Sequence, residues 1–220
     1  DIAIRNYKNF NYPREKLFWI ILDDSDDDSL KSILPNDKSI RYIHNEKKEK
    51  IGAKRNRLAS ECNTNIICHM DDDDYYYPDS IINRVSKLIY MNRFCKKVSR
   101  PEFNCITCST IACYHISKFI SMINVPPHHE PYSKRISEAS MLFKKSFWDK
   151  QKFLDNSKGT EAKEFIEGRM NEILEISWSY VFVSLLHNKN TSNKKVLDKP
   201  NGCHFGFSDE LFLFLSELDS

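Results

Sequence analysis

Short apolar runs alternate along the chain with stretches in which apolar residues recur at helical spacing. The continuous apolar runs predict strands near 17–22, 40–44, 66–70, 105–114, 140 and 181. Helical spacing predicts helices over 2–10, 29–34, 78–94 and 208–218, and two more that contain residues 55 and 161. This alternation is typical of an α/β fold in which helices flank a mostly parallel, Rossmann-like central sheet.

Two of the predicted strands end in clusters of carboxylates. The run 16–28 includes Asp23 and Asp24, and the run 66–70 leads into four consecutive aspartates at 71–74. In open parallel sheets, ligands bind outside the carboxyl ends of the strands, so the two clusters can share one cleft. Adjacent carboxylates need a compensating cation, and hard oxygen ligands favour Mg²⁺ or Mn²⁺. The pattern predicts a divalent-metal site completed by substrate phosphate; a solvated acidic loop is the alternative.

A basic segment lies between the two acidic clusters. It begins near Gly52 and carries Lys54, Arg55 and Arg57. Helix N-terminal amides and arginine side chains both suit a phosphate, which predicts a nucleotide as the ligand.

Taken in order, three motifs resemble the family 2-like glycosyltransferases with the GT-A, or nucleotide-diphospho-sugar transferase, fold. They are Ile-Ile-Leu-Asp-Asp-Ser-Asp at 20–26, Gly-Ala-Lys-Arg-Asn at 52–56, and the aspartate run that closes on Pro78. Each motif alone is weak, but three in the right order over about sixty residues are fairly specific. Members of this family usually open with a further strand, so the resemblance also implies that the first strand is missing from this sequence.

The resemblance implies a donor site. Asp23 or Asp24 contacts the nucleoside base or ribose, and Arg55 with Asn56 lines the nucleotide site. Asp72 occupies the variable middle position of the Asp-x-Asp motif and is a further candidate for nucleotide-sugar binding.

The same resemblance implies a metal site. Asp73 holds the metal that bridges the diphosphate, and Asp71 lies toward the ribose and sugar and is a second candidate ligand. Four acids in a row leave a shift of one residue open. His187, at the end of an apolar run, is the third candidate ligand, and His204 is its rival; a hydrogen-bonded surface histidine is the alternative.

In the second half, the segment 135–148 resembles the strand and helix on the acceptor side of the family. The segment 159–169 resembles the region where an acidic residue at the head of a helix is the catalytic base. Glu161 and Glu164 are spaced to share a helical face, and the resemblance implies that one of them accepts the proton of the acceptor hydroxyl during inverting transfer. An ordinary solvent-facing helix is the alternative for either residue alone.

Composition predicts one domain over 1–220, with a nucleotide-binding half at about 1–95 and an acceptor half at about 96–220. The net charge of +2, with scattered cations, gives no case for nucleic acid as a partner. No stretch approaches the roughly 18 apolar residues of a transmembrane helix, and the first residues of this sequence do not have a signal-peptide pattern. The expected location is cytoplasmic, with any membrane association arising from segments outside this sequence.

The leading hypothesis is a hexosyltransferase-like enzyme that depends on Mn²⁺ or Mg²⁺. It transfers a sugar from a nucleotide-sugar donor, with UDP as the default nucleotide, to the hydroxyl of a glycan, protein or lipid. A nucleotidyltransferase and a non-catalytic sugar-nucleotide-binding module of the same fold are the alternatives.

A structural zinc site at Cys105, Cys108, Cys113 and His115 is a further possibility, but the β-forming residues around them favour buried free thiols.

Overall fold

The computed structural model describes residues 2–27, 30–157, 161–187 and 207–218. The helices, in chain order, are α1 (Ile2–Asn9), α2 (Leu30–Ile33), α3 (Ile51–Glu61), α4 (Ser80–Lys97), α5 (Tyr132–Arg135), α6 (Lys145–Lys150), α7 (Glu161–Ile166) and α8 (Asp209–Glu217). The strands are β1 (Trp19–Asp23), β2 (Ile40–His44), β3 (Ile66–Cys68), β4 (Tyr75–Tyr76), β5 (Cys105–Cys108), β6 (Ile111–His115), β7 (Ile120–Asn124), β8 (Ser137–Lys144), β9 (Ile173–Glu175) and β10 (Phe182–Leu186).

The strands form three hydrogen-bonded groups, in the orders β1-β2, β4-β10-β6-β7 and β3-β8-β5-β9. The pairs β1–β2, β6–β10 and β5–β9 are parallel, whereas β4–β10, β3–β8, β5–β8 and β6–β7 are antiparallel. The α/β class is confirmed, but within the described residues the pairing is mixed rather than mostly parallel. The sequence could not reveal this, because continuous apolar runs do not encode the direction of a neighbouring strand.

Three strands have no counterpart in the sequence prediction. The first, β4, is only two residues long, and β7 and β9 lie in segments without a continuous apolar run. All three pair with a partner distant in the chain or across a hairpin, so tertiary pairing outweighs their weak local pattern.

Aromatic packing joins β8, α6 and α7. Phe143 in β8 contacts the rings of Phe153 and Phe165, and the last two rings stack with centroids 3.9 Å apart. Phe147 in α6 meets Phe165 edge-on. These buried rings fix α7 against β8, and α7 carries the predicted catalytic glutamates.

Helix α1 fixes the acidic segment from the other side. The buried Asn6 side chain donates to the carbonyl oxygen of Asp74 at 2.8 Å and accepts from the amide of Tyr76 at 3.0 Å. The ring of Tyr7 stacks on Trp19 in β1. Helix α1 therefore ties the start of β1 to the chain that follows β3.

Candidate donor and metal site

The two carboxylates that follow β1 are held by different partners. Asp23 accepts from the hydroxyl of Tyr42 at 2.7 Å and from the amide of Ser25 at 2.9 Å. Partial burial acts to raise the pKa of Asp23, but these hydrogen bonds outweigh it and leave the pKa below its ordinary value. Both partners therefore favour the ionised carboxylate.

Asp24 faces α3. Its carboxylate contacts the ammonium group of Lys54 at 2.6 Å and the amide of Glu49 at 3.1 Å. Burial acts to raise the pKa of Asp24, and the Lys54 contact, with the amide, lowers it overall. The charge of Lys54 also acts on Asp72 in the second acidic cluster. The beginning of α3 thus lies between the two acidic clusters, as the shared cleft requires.

The glycine and the cations at the start of α3 have protein partners, unlike those of a simple phosphate-binding loop. Gly52 lies so close to the loop after α6 that an added Cβ would be 2.1 Å from the carbonyl oxygen of Leu154. Lys54 contacts Asp24, and Arg57 contacts Glu49 at 3.4 Å. The predicted phosphate contacts of this segment stay predictions, since its lysine and arginine side chains contact carboxylates and its glycine serves close packing.

Arg55 is the centre of a buried charged network. Its Nε donates to Glu161 Oε1 at 2.9 Å, and its Nη2 lies 3.4 Å from Asp71 Oδ1. Burial alone would lower the pKa of Arg55, but the carboxylates of Asp71, Glu161 and Glu138 raise it. A single guanidinium therefore links the first acid of the Asp-x-Asp motif to the first residue of α7.

His69 completes this network. Its Nδ1 lies 2.7 Å from Arg55 Nη1 and 3.0 Å from the carbonyl oxygen of Glu138. Burial, reinforced by the charge of Arg55, holds the pKa of His69 well below its ordinary value. Because a guanidinium can only donate, the neutral ring accepts from Arg55 through Nδ1 and carries its proton on Nε2. The carbonyl of Glu138 then lies beside Nδ1 without receiving a proton.

The four aspartates after β3 have two different environments. Asp74 is buried and accepts, through Oδ1, from the hydroxyl of Ser184 and the amide of Leu185, both at 3.0 Å. The other three are at least partly accessible, and Asp71 uses its amide to donate to the hydroxyl of Tyr76. This arrangement favours the Asp71 and Asp73 register that the sequence left open by one residue, because Asp74 is committed to β10.

Asp72 is the acid whose neighbours most oppose its charge. Desolvation, and then the carboxylates of Asp73 and Asp71, raise the pKa of Asp72. A bound cation would relieve this repulsion, which fits the metal site predicted from the sequence. Its contact with a nucleotide sugar stays a prediction.

The structure brings two predicted metal ligands together. Nε2 of His187, directly after β10, lies 3.7 Å from Oδ2 of Asp73. Within the part of the chain that the structure describes, no three His, Cys, Asp or Glu side chains are grouped as a metal site. Asp71 thus stands apart from this pair, with Arg55 as its neighbour. His204, the rival ligand, lies outside the described residues.

The predicted base residues occupy the first turn of α7, as the sequence indicates. Glu161 is only 4% exposed and is paired with Arg55, so a solvent-facing role is excluded for it. Glu164 is partly buried, and within the described residues its Oε2 is buried without a hydrogen-bond partner. The two glutamates therefore differ. Glu161 is paired with Arg55, whereas one oxygen of Glu164 has no hydrogen-bond partner among the described residues.

Glu138 is a carboxyl group of this site that sequence reasoning missed. It lies in β8, its carboxylate accepts from the amide of Ala162, and it interacts with Glu161 and Arg55. Burial, followed by the charge of Glu161, raises the pKa of Glu138 to about 7, although Arg55 acts in the opposite direction. A carboxyl with a pKa near neutrality can both take up and release a proton at physiological pH. In the sequence, its segment, 135–148, is identified only as a strand and helix of the acceptor side, and no feature of that segment marks this carboxyl.

Asn56 has structural partners. Its amide nitrogen donates to the carbonyl oxygen of Phe153 and to Asp155, at 2.8 and 2.6 Å. Its oxygen accepts from the indole of Trp148 and the amide of Phe153, both at 3.0 Å. Asn56 therefore ties α3 to the loop after α6, and its predicted contact with a nucleotide stays a prediction.

The cysteine prediction is confirmed for buried thiols. Cys105, Cys108 and Cys113 are buried in β5 and β6, and none of the three forms a disulfide within the described part of the chain. Burial raises the pKa of the Cys108 thiol to about 11 and that of Cys105 further, which favours the protonated thiols, and the described residues contain no group of three or more His, Cys, Asp or Glu side chains that could hold a metal ion.

Comparison with known proteins supports the fold that the sequence predicts. The family model of glycosyl transferase family 2 matches residues 3–94, somewhat under half of the chain. No curated protein sequence gives a significant match. None of the helices in the described ranges is both long and apolar enough to cross a bilayer.

Two solved glycosyltransferases show the same fold. S. aureus TarS 1–349 in complex with UDP-GlcNAc superposes with a TM-score of 0.62 at 12% identity, over 86% of this chain and 55% of that chain. The mannosyltransferase PcManGT from Pyrobaculum calidifontis, in complex with GDP-Man and Mn²⁺, gives a TM-score of 0.54 at 13% identity, over 84% of this chain and 51% of that chain. The chain thus has the GT-A fold and spans about half the length of these proteins.

Proposed function

We propose that this chain is a family 2-like glycosyltransferase that acts as a metal-dependent, inverting sugar transferase. The match of the glycosyl transferase family 2 model to residues 3–94 and the GT-A fold support this proposal. The donor is a nucleotide-diphosphate sugar, with UDP as the expected nucleotide, and the acceptor is a hydroxyl group. The approach of Asp73 and His187, which are distant in the sequence, is the observation that carries the proposal.

The donor site uses residues from both acidic clusters. Asp23 and Asp24 at the end of β1 would bind the nucleoside, and Asp71 and Asp72 would face the ribose and sugar. The guanidinium of Arg55 contacts the Asp71 carboxylate and helps to hold it in position. The similar structures that hold UDP-GlcNAc and GDP-Man support a nucleotide sugar as the ligand class.

The proposed metal site would hold a hard divalent cation. Asp73 offers a carboxylate and His187 an imidazole, which together suit Mn²⁺, and Asp71 is the further candidate ligand. Such a cation would stabilise the diphosphate as it leaves the sugar. The neighbouring pair of Asp72 and Asp73 supplies negative charge that attracts it.

The proton of the acceptor hydroxyl would pass to a carboxylate of α7. Glu161 and Glu164 are the proposed pair, and Glu164 has the unpaired oxygen while Glu161 is engaged with Arg55. A group that accepts this proton speeds transfer without being required for donor binding. Glu164→Gln is therefore expected to lower turnover and to leave UDP affinity unchanged, with the exposed Glu167→Gln as the control. Glu161→Gln is expected to lower turnover and also stability, because it removes the buried carboxylate that pairs with Arg55.

Titration calorimetry of UDP and GDP, with and without Mn²⁺, tests the donor site. Asp73→Asn is expected to abolish the metal-dependent part of binding, and Asp149→Asn, an exposed aspartate on α6, is the matched control. Equal binding by Asp73→Asn and the native protein would remove the metal role. Nucleotide binding without donor hydrolysis or transfer would indicate a binding module, and no binding by the folded protein would contradict the transferase.

A further inference from the structure

The outer face of α4 combines exposed apolar side chains with unpaired cations. Its inner face is buried through Ile81, Arg84 and Leu88, which pack toward β5 and β8. On the solvent side, five large apolar residues lie on or directly after the helix with exposed fractions of 37–67%: Ile82, Ile89, Tyr90, Phe94 and Val98. Several large apolar side chains exposed along one side of a helix mark a candidate site of interaction.

The charges on the same face have one sign. Five exposed cations accompany the apolar residues: Lys87, Arg93, Lys96, Lys97 and Arg100. The sequence contains no Asp or Glu between positions 80 and 100. None of the five cations forms an ion pair with another described residue. The face is therefore complementary to a surface that is both negatively charged and apolar beneath its charges.

A groove runs beside this face. Its volume is about 650 Å³, and Ile89, Arg93 and Lys96 of α4 form one wall. Lys144 on the opposite wall is paired with Glu102 at 2.8 Å, and Asp149 also lines the groove. Arg93 and Lys96 on α4, with Lys145 on the opposite wall, form no ion pair with another described residue and are the cations offered to an anionic group that enters from the solvent side.

We propose that the outer face of α4 binds the surface of an anionic phospholipid bilayer, with Ile89, Tyr90 and Phe94 at the level of the acyl boundary. The lysines and arginines then lie at the headgroups, and the groove accepts a lipid phosphate. Helices that lie at a membrane interface combine exposed apolar residues with cations, and on α4 the cations Arg93 and Lys97 are interspersed among the apolar residues. Nucleic acid is a poorer fit, because its phosphates offer nothing to the exposed aliphatic side chains.

Co-sedimentation with vesicles tests the proposal. Vesicles of phosphatidylcholine alone are compared with vesicles that also contain phosphatidylglycerol, at low and high salt. The native chain is expected to bind the anionic vesicles at least about tenfold more tightly, and salt should weaken this binding. Lys96→Glu with Lys97→Glu should reduce the affinity about tenfold or more, whereas Lys31→Glu with Lys38→Glu, which changes the net charge equally, should not.

A second pair of variants tests the apolar contribution. Ile89→Ser with Phe94→Ser should weaken vesicle binding, and Ile33→Ser with Phe18→Ser, at exposed positions elsewhere, is the matched control. Absence of binding to anionic vesicles would overturn the proposal and favour an acidic protein as the partner. The proposal would also be overturned if the two control pairs lost as much vesicle binding as the corresponding α4 variants. Displacement by inorganic phosphate at constant ionic strength would assign the groove to free phosphate instead.

Discussion

Arg55 Nε and Glu161 Oε1 lie 2.9 Å apart, and both side chains are buried. Removing one member of such a pair leaves an uncompensated charge in the interior. Arg55→Met is therefore expected to lower the free energy of unfolding by about 3 kcal/mol, as measured by urea denaturation. Arg57→Met is the control, because Arg57 and Glu49 are partly exposed and lie 3.4 Å apart, and it should cost less than about 1 kcal/mol.

The double variant Arg55→Met with Glu161→Gln separates charge from packing. It should recover part of the stability that Arg55→Met loses, because no unpaired buried carboxylate remains at position 161. An Arg55→Met protein that is as stable as Arg57→Met would contradict the buried pair.

Asp73 and Asp74 are adjacent but are expected to behave oppositely. Asp74 accepts two buried hydrogen bonds from β10, so Asp74→Ala should lower the free energy of unfolding by about 1–3 kcal/mol. Asp73→Ala should change stability by less than about 0.5 kcal/mol and should remove Mn²⁺-dependent UDP binding. Urea denaturation and calorimetry on both variants check this prediction. If Asp74→Ala removed Mn²⁺-dependent UDP binding and Asp73→Ala lowered stability, Asp74 rather than Asp73 would be the metal ligand.

Glu138 should make stability depend on pH. Its pKa of about 7 lies above the ordinary value of 4.5, so folding favours its protonated form. The stabilisation is complete below pH 4.5 and is lost as the pH rises through 7. Glu138→Gln should therefore gain stability relative to the native protein as the pH rises from 4.5 to above 7.

Thermal melting of Glu138→Gln and the native protein in parallel across this range checks the prediction. The comparison is needed because His69, whose pKa is lowered, contributes the opposite trend: its stabilisation is lost as the pH falls through and below 6.5. A difference between the two proteins that is independent of pH would show that Glu138 has an ordinary pKa.

Two glycines are expected to resist substitution for different reasons. Gly52 lacks space, because a Cβ would overlap the Leu154 carbonyl, whereas Gly168 has open space but a φ of +75°. Gly52→Asn should cost about 2 kcal/mol or more through the clash with the backbone. Gly168→Asn should cost less than about 1 kcal/mol, because asparagine tolerates the left-handed region. Urea denaturation distinguishes the two, and equal costs would contradict the close approach at Gly52.

The sequence alone determined the order of most helices and strands and the fold family. Periodicity is a local property, so the runs at β1, β2, β3 and β10 and the helices α3, α4 and α7 could be located without a structure. The three motifs of the family are also local. Strand direction is not, which is why the mixed pairing and the short strands β4, β7 and β9 were not predicted.

The tertiary structure decided which residues share a site. Arg55 meets Glu161 across 106 positions of sequence, and Asp74 meets Leu185 across 111. Tertiary contacts of this kind distinguish the role of Asp73 from that of Asp74, give Asn56 a structural role and place Glu138 beside Glu161. A sequence pattern records the kind of residue at each position, whereas burial, pairing and pKa depend on which distant segments fold against it, and only packing sets them.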